Sequence, residues 1–539
     1  MELAGNLVDI VKKRIYPAKI KIEAGMIVDI KEEKGPFSTY ILPGFIDSHI
    51  HIESSMLVPS EFARIAVTHG TVGTVSDPHE IGNVLGIEGV RFMIDNGKKV
   101  PFHFNFGAPS CVPATSFETA GAQITAAEIR ELFEKDNLKY LSEMMNYPGV
   151  LHKDPIVMEK IKAAQDAGVP IDGHAPGLKG EDAKQYIAAG ISTDHECYEL
   201  DEALGKLKEG MKIIIREGSA AKNYNALHSV LKSHPERVMF CSDDKHPDEL
   251  VKGHINELVK RSVALGYDLF DVLRAASLNP IQHYKLDIGY LQKGQPADFI
   301  VVDNLTDFNV LETYIRGEKV ASQGKSHIAR VESKILNHFS VKPTKLSDYE
   351  IKGEEGKIRV IEALDGELIT NEIEAPAKLV EGKLVSDSEH DILKMVVINR
   401  YKDAPLAKAF IKGFGLNRGA IASCIAHDSH NIIAVGVDDE SLMKAVNAVI
   451  KNRGGISVAV KEDIDALALP IAGILSPDDG YKVAADYSRI DEKAKVLGTH
   501  LRAPFMTLSF MALLVIPSLK LSDKGLFDGK AFQFTELSL

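Results

Sequence analysis

The sequence predicts an α/β protein: a (β/α)8 barrel, a small β-sandwich domain formed from segments flanking the barrel, and a C-terminal α+β domain. Three observations carry this. Between residues 44 and 285, eight short β-rich runs alternate with helix-forming stretches, the rhythm of βα units, and about 240 residues is the length of eight such units. "KIKIEAGMIVDI" at 19–30 alternates polar and apolar residues around a glycine, a hairpin pattern that returns in "ADFIVVDN" and "VLETYIRGEKVASQGK" between 297 and 325. Beyond 340, "SVKPTKLSDYEIKGEEGKIRV" is polar and lacks apolar periodicity, which marks a boundary. The division that follows is 1–43 with 286–340, then 44–285, then 341–539.

The eight expected strands are "FIDSHIH", "TVGTVSD", "FHFNFGA", "YLSEMMN", "VPIDGHA", "ISTDHE", "KIIIREGS" and "VMFCSDD". Each ends on polar residues: His49 and His51, Asp77 and His79, Ser110, Glu143, His174, His195, Glu217, and Asp243. In a (β/α)8 barrel these ends share one mouth, where active sites are built. The last third mixes strand and helix patterns, with "GAIASCIAHDSHNIIAVG" at 419–436 and a helical "DDESLMKAVNAVIKNRGG". "FMALLVIPSL" at 510–519 is far short of the roughly 20 apolar residues of a membrane span; it reads as core or as a dimer surface.

Composition narrows the function. A hydrophobic fraction of 45%, a charged fraction of 26% and a net charge of -13 describe a globular chain with no attraction for a polyanion, so a nucleic-acid polymer is not an expected partner, nor is a membrane. The first twenty residues lack the apolar core and cleavage site of a signal peptide, which points to the cytoplasm. Four cysteines, none in a CxxC pair, provide neither a disulfide framework nor a thiolate zinc site. Any metal must be held by N and O ligands.

In a strand, residues i and i+2 point to the same side, so His49 and His51 can present both imidazoles to one ion. With His174, His195, Asp243 and Glu143 at other strand ends they make six N/O groups. That set suits two divalent first-row ions, Mn, Fe or Zn, with Glu143 able to bridge them. His51-Ile52-Glu53 matches half of the zinc nucleobase deaminase signature, but the PCxxC of that signature is absent, which excludes that fold's metal site. His79 follows Asp-Pro, so "SDPHE" is either a catalytic histidine's setting or a turn that opens a helix with Glu80 in its first turn. "HDSH" at 427–430 reads as loop or interface residues rather than as another metal cluster, with a cover over the barrel mouth left open.

The order HxH, bridging acid, His, His, Asp resembles the amidohydrolase superfamily, and "PGFIDSHIHIESS" looks like its first-strand motif. Within it the chain is similar to the bacterial and archaeal adenine deaminases. The resemblance rests on "GTVSDPHEIGNV" (73–84), "GAPSCVPATSFETAG" (107–121), "MMNYPGV" (144–150), "DGHAPGL" (172–178), "DHECYELDEA" (194–203) and "GAIASCIAHDSHN" (419–431), and so extends beyond the barrel. It implies that His49, His51, His174, His195 and Asp243 are metal ligands and Glu143 a bridging ligand. His79 resembles a proton-shuttling histidine. Many amidohydrolases use a carbamylated lysine at the fourth strand; Lys139, four residues before Glu143, keeps that alternative open, with the glutamate preferred.

The expected reaction is hydrolytic deamination of adenine to hypoxanthine in purine salvage. The expected cofactors are two divalent ions, Mn(II) or Fe(II) first and Zn(II) allowed. Asp243 would take the proton of the attacking water and a protonated His79 would assist departure of ammonia. Glu53, Ser110, Glu217 and Ser219 stand at strand ends as candidates to read the purine edge or to orient a ligand histidine. A homodimer or higher assembly is expected. The alternatives are a cyclic-amide hydrolase of the dihydropyrimidinase or dihydroorotase kind and, last, a non-catalytic assembly protein; intact ligands argue against the second.

Overall fold

A computed structural model describes all residues, 1–539. Near the N-terminus lie β1 (Glu2–Asp9), β2 (Arg14–Glu23), β3 (Met26–Glu32) and β4 (Tyr40–Pro43). The β2–β3 hairpin turns on Ala24-Gly25, both at positive φ (49° and 78°), the geometry of a two-residue hairpin turn. Gly25 is required there, because a Cβ would also press to 3.0 Å from the Arg316 carbonyl.

The middle of the chain carries eight strands: β5 (Phe45–Ile50), β6 (Thr71–Ser76), β7 (His103–Phe106), β8 (Leu141–Met144), β9 (Ile171–Gly173), β10 (Thr193–Asp194), β11 (Lys212–Arg216) and β12 (Val238–Cys241). They pair in parallel as β5-β6-β7, β8-β9 and β10-β11-β12. Isolated parallel bridges run Ala108 to Leu141, Ile171 to Ile191 and Ile50 to Asp243. Every residue of β5, β6 and β12 is buried, as expected of parallel strands covered on both faces. Helices separate the strands. Pro155–Ala167, for example, starts from an Asp154 side-chain cap with Pro at its first position and stops at Gly168 in the left-handed region.

The pattern seen near the start returns as β13 (Phe299–Val302), β14 (Val310–Ile315), β15 (Glu318–Ser322) and β16 (Lys325–Ser326). These strands join the first four in one eight-stranded sheet, ordered β16-β15-β14-β13-β4-β1-β2-β3, with β13 antiparallel to β4. Two distant segments of chain thus share a core of Leu7, Ile20, Ile41, Phe299, Val301 and Tyr314.

The last third contains β17 (Lys357–Ala363), β18 (Thr370–Pro376), β19 (Leu379–Val380), β20 (Lys383–Leu384), β21 (Leu393–Ile398), β22 (Ala407–Lys412), β23 (Ala420–Ser423), β24 (Ile432–Gly436), β25 (Ile456–Val460) and β26 (Asp463–Leu467), then β27 (Leu519–Ser522), β28 (Gly525–Asp528) and β29 (Gln533–Phe534). Its main sheet runs β18-β17-β22-β21-β24-β23-β25-β26. Helix Asp439–Asn452 lays Leu442, Ala445, Val446 and Val449 on it. Residues 510–516 are all buried, and most join an apolar core that also holds Ile46, Met56 and Leu141, so "FMALLVIPSL" is a seam between the last third and the eight parallel strands. No helix is long and apolar enough to cross a membrane.

Candidate active site

His49 in β5 and His51, just past its end, turn to one side, and their Nε2 atoms lie 3.2 Å apart. Glu143, in β8, stands between the histidines. Its Oε1 is 3.1 Å from His51 Nε2, and its Oε2 is 3.1 Å from His195 Nε2 and 2.7 Å from His174 Nδ1. Asp243 follows β12, in the left-handed region at φ 52°, and places Oδ1 3.5 Å from His49 Nε2 and 3.3 Å from His51 Nε2. The six expected ligand residues therefore meet, all at most 4% exposed.

The charges of the two acids have identifiable causes. Burial alone would raise the Glu143 carboxyl, but His174, His195 and His51 hold it well below the carboxylate range. Burial likewise opposes ionisation of Asp243, and the Arg216 guanidinium overrides it. Arg216 pairs with Asp243 Oδ2 through Nη1, and it grips Glu196 with both Nη1 and Nη2.

His79 is the first residue of helix His79–Leu85, so "SDPHE" does open a helix, and the histidine still faces the acids. Its Nδ1 donates to Asp77 Oδ2 at 2.9 Å and sits 3.6 Å from Glu143 Oε1; its Nε2 is 3.5 Å from Asp428 Oδ1. Burial disfavours the imidazolium, yet Asp77 and Glu80 raise its pKa well above the usual value.

His51, His79, Glu143, His174 and Asp243 line a cavity of about 20 Å3, together with Glu80, Glu196, Asp244, Met145, Leu368, His427, Asp428, Phe510 and Leu513. That is space for about one water molecule. The last third of the chain supplies its cover. The buried stretch between β23 and β24 brings in His427 and Asp428, so "HDSH" covers the site, the reading set second to a loop or interface role. Glu80 Oε1 pairs with His427 Nδ1 and Oε2 with His430 Nε2, which ties that stretch to the strand ends.

None of the four candidates for the purine edge lines this cavity. Glu53 Oε1 accepts the Ile81 backbone N–H at 3.2 Å, and burial lifts its pKa to about 7. Ser110 Oγ donates to the Glu143 carbonyl and faces a separate 260 Å3 cavity. Glu217 is drawn away by Arg261, 2.8 Å from Oε2. Ser219 Oγ accepts the His246 backbone N–H at 2.9 Å. Lys139 precedes β8 and lines an outer groove with Asp136 and Phe104, at the far end of the strand from Glu143.

Sequence reasoning missed Arg216, Glu196, Asp244 and the functional setting of Glu80, each adjacent in sequence to a residue it did single out. Phe510, Leu513 and Leu368 carried no signal beyond apolarity.

Parallel α/β strands presenting an HxH pair, two further histidines and two acids define a class, the amidohydrolases. The Amidohydrolase family model matches residues 40–320, and the Adenine deaminase C-terminal domain model matches residues 367–533. A protein named adenine deaminase from Salinibacter ruber is 53% identical over 536 residues, covering 99% of this chain and 98% of its own. Another of that name from Sulfurovum sp. is 54% identical over 537 residues, 99% of each chain, and one from Methanosarcina mazei is 51% identical over 546 residues, 99% of this chain and 98% of its own. A solved structure of a beta-aspartyl dipeptidase from Fervidobacterium islandicum AW-1 is 17% identical and covers 62% of this chain and 100% of its own, with a TM-score of 0.47. The chain belongs to the adenine deaminase family.

Proposed function

We infer that the protein hydrolyses adenine to hypoxanthine and ammonia. The observation that carries this is the convergence of His49, His51, Glu143, His174, His195 and Asp243 in a chain about half identical, over its full length, to proteins named adenine deaminase. A cyclic-amide hydrolase with a carbamylated lysine is disfavoured, because Lys139 stands away from these groups.

The donor set fits metal. A tetrahedral ion with bonds of about 2.1 Å spaces its ligand atoms roughly 3.4 Å apart. His49, His51 and Asp243 contact one another at 3.2–3.5 Å, and Glu143 meets His174 and His195 at 2.7 and 3.1 Å. These two groups, with Glu143 between them, would hold two divalent cations; all-N/O ligation suits Mn(II) or Fe(II), with Zn(II) admissible. Bound there, such ions supply Lewis acidity that lowers the pKa of water toward about 7.

The side chains would then divide the proton work. Asp243, with Oδ2 anchored on Arg216, takes the proton of the attacking water at Oδ1 as the water oxygen joins C6 of adenine. His79, oriented by Asp77, carries a proton on Nε2 to the departing amino group, which leaves as ammonia.

The same reading takes the eight parallel strands as a closed (β/α)8 barrel over 44–285, supported by the three bridges between their sheets. It takes 1–43 with 286–340 as the small β domain and 341–539 as a C-terminal α+β domain, in a cytoplasmic homo-oligomer. The test of function is loss of adenine absorbance with ammonia release by Mn(II)-reconstituted protein, against Asp243→Asn. Metal-dependent turnover abolished by the substitution supports the reading; adenine left untouched in every metal form overturns it.

A further inference from the structure

We propose that His427 is the acid that protonates ring nitrogen N1 of the bound purine as water adds at C6. This rests on the adenine reading above and adds a catalytic residue to it from the last third of the chain.

The chemistry requires such a group. When the water oxygen bonds to C6, the π pair of C6=N1 moves onto N1, which becomes strongly basic. Concerted protonation removes that charge, the usual role of a positioned general acid. Asp243 and His79 are both committed, one to the attacking water and one to the departing nitrogen.

His427 has the geometry of that acid. It lines the same cavity as His79 and Asp243. Its Nδ1 forms an ion pair with Glu80 Oε1, and that charge favours the imidazolium. Its Nε2 has Asp244 Oδ1 as its nearest carboxylate atom, at 3.9 Å, beyond hydrogen-bond range. A proton on Nε2 is therefore not spent on a neighbouring carboxylate. Glu80 Oε2 pairs with His430, and the Phe510 ring packs against the imidazole with its centroid 5.3 Å from that of His427.

The charged and titratable groups facing His427 are Glu80 on helix His79–Leu85, Asp244 and His246 after β12, and Asp428 and His430 on its own stretch. Burial disfavours the charged ring, but Glu80 and Asp244 prevail and its pKa rises to about 9.

Protons balance over the cycle. Water yields two: the first reaches Asp243 on attack, and the second leaves the C6 hydroxyl as the carbonyl forms. N1 gains one from His427 and keeps it in the product; the amino group gains one from His79 and leaves as ammonia. The two water protons restore His427 and His79.

The test compares wild-type protein and His427→Gln on adenine and on 6-chloropurine, with metal content and Tm as controls. Chloride leaves without a proton, so the second substrate needs only attack at C6 and protonation at N1. The proposal expects kcat to fall at least about 100-fold on both substrates, with KM changed by less than about five-fold. Loss on adenine alone would assign His427 to the leaving group and overturn the proposal, as would a loss confined to KM. Wild-type protein inert toward adenine would instead overturn the underlying reading. Should His427→Gln not fold, Glu80→Gln decides on 6-chloropurine, where His79 has no departing amine to protonate: the alkaline limb of kcat moves down by at least about one pH unit if Glu80 sustains the His427 imidazolium, and an unmoved limb overturns the proposal.

Discussion

Arg216 Nη1 donates to Asp243 Oδ2, while Oδ1 of the same carboxylate lies 3.5 and 3.3 Å from Nε2 of His49 and His51. One guanidinium thus sets which oxygen of the acid faces the two histidines, and its hold on Glu196 stiffens the arrangement. The pairing explains how a carboxylate 3% exposed stays ionised beside a second one.

Arg216→Met is expected to lower kcat by about 100-fold and to destabilise the fold by about 3 kcal/mol, since it strands Asp243 and Glu196 without a buried counter-charge. Arg216→Lys should recover part of the stability and little of the rate, because an ammonium cannot reproduce the two-armed grip. Steady-state rates with saturating Mn(II) and urea midpoints measure both. A Met variant at wild-type kcat would refute the anchoring role.

Stripping metal should abolish turnover and lower Tm by several degrees, because Glu143 and Asp243 then have only histidines and Arg216 to balance them. Titration of the stripped protein with Mn(II) should restore the rate at two equivalents. A break at one equivalent would mean that the donor set acts as a single centre.

The cavity of about 20 Å3 is far smaller than a purine base, so its lining, which includes Leu368, Phe510 and Leu513, must move for adenine to enter. Leu513→Ala is expected to cost about 2–4 kcal/mol in stability as a buried large-to-small change. It should also raise kcat/KM for N6-methyladenine relative to adenine by about ten-fold, since the cover is thinned. An unchanged ratio would place the entry route elsewhere.

How much of this was legible in the sequence follows from periodicity. His49 and His51 fall on one side at the end of β5 because strands alternate, and Glu143, His174, His195 and Asp243 end strands whose β-rich runs were visible. The N-terminal hairpin and its distant partner strands were legible for the same reason. Arg216 was not: it is the last residue of an apolar strand, and nothing local says that it turns to two acids from other strand ends. His427 and Asp428 were only allowed for as a cover, behind a loop or interface role, because the stretch between β23 and β24 covers the site through packing between segments hundreds of residues apart. Glu53, Ser110, Glu217 and Ser219 stand near strand ends in sequence, yet none lines the cavity, since a strand end offers several side chains and only register and neighbours choose among them.

The acid limit of stability should depend on His246. Its ring is 3% exposed, packed edge-on to Tyr487 with centroids 4.7 Å apart, and its Nδ1 has no hydrogen-bond partner. Burial, with His427 adding repulsion, pushes its pKa down to about 3. An unfolded histidine titrates near 6.5. Between those values the unfolded chain binds a proton that the folded chain refuses, so stability is complete above pH 6.5 and falls as the pH drops toward 3. At about 1.36 kcal/mol per pKa unit the full contribution is about 5 kcal/mol, and the part lost between pH 7 and pH 4 is about 3 kcal/mol. His246→Phe keeps an aromatic ring against Tyr487 and removes the titration. The difference in urea-derived stability between variant and wild type should therefore shift in the variant's favour by about 3 kcal/mol from pH 7 to pH 4. A difference that stays constant over this range would show that the acid limit lies in other groups.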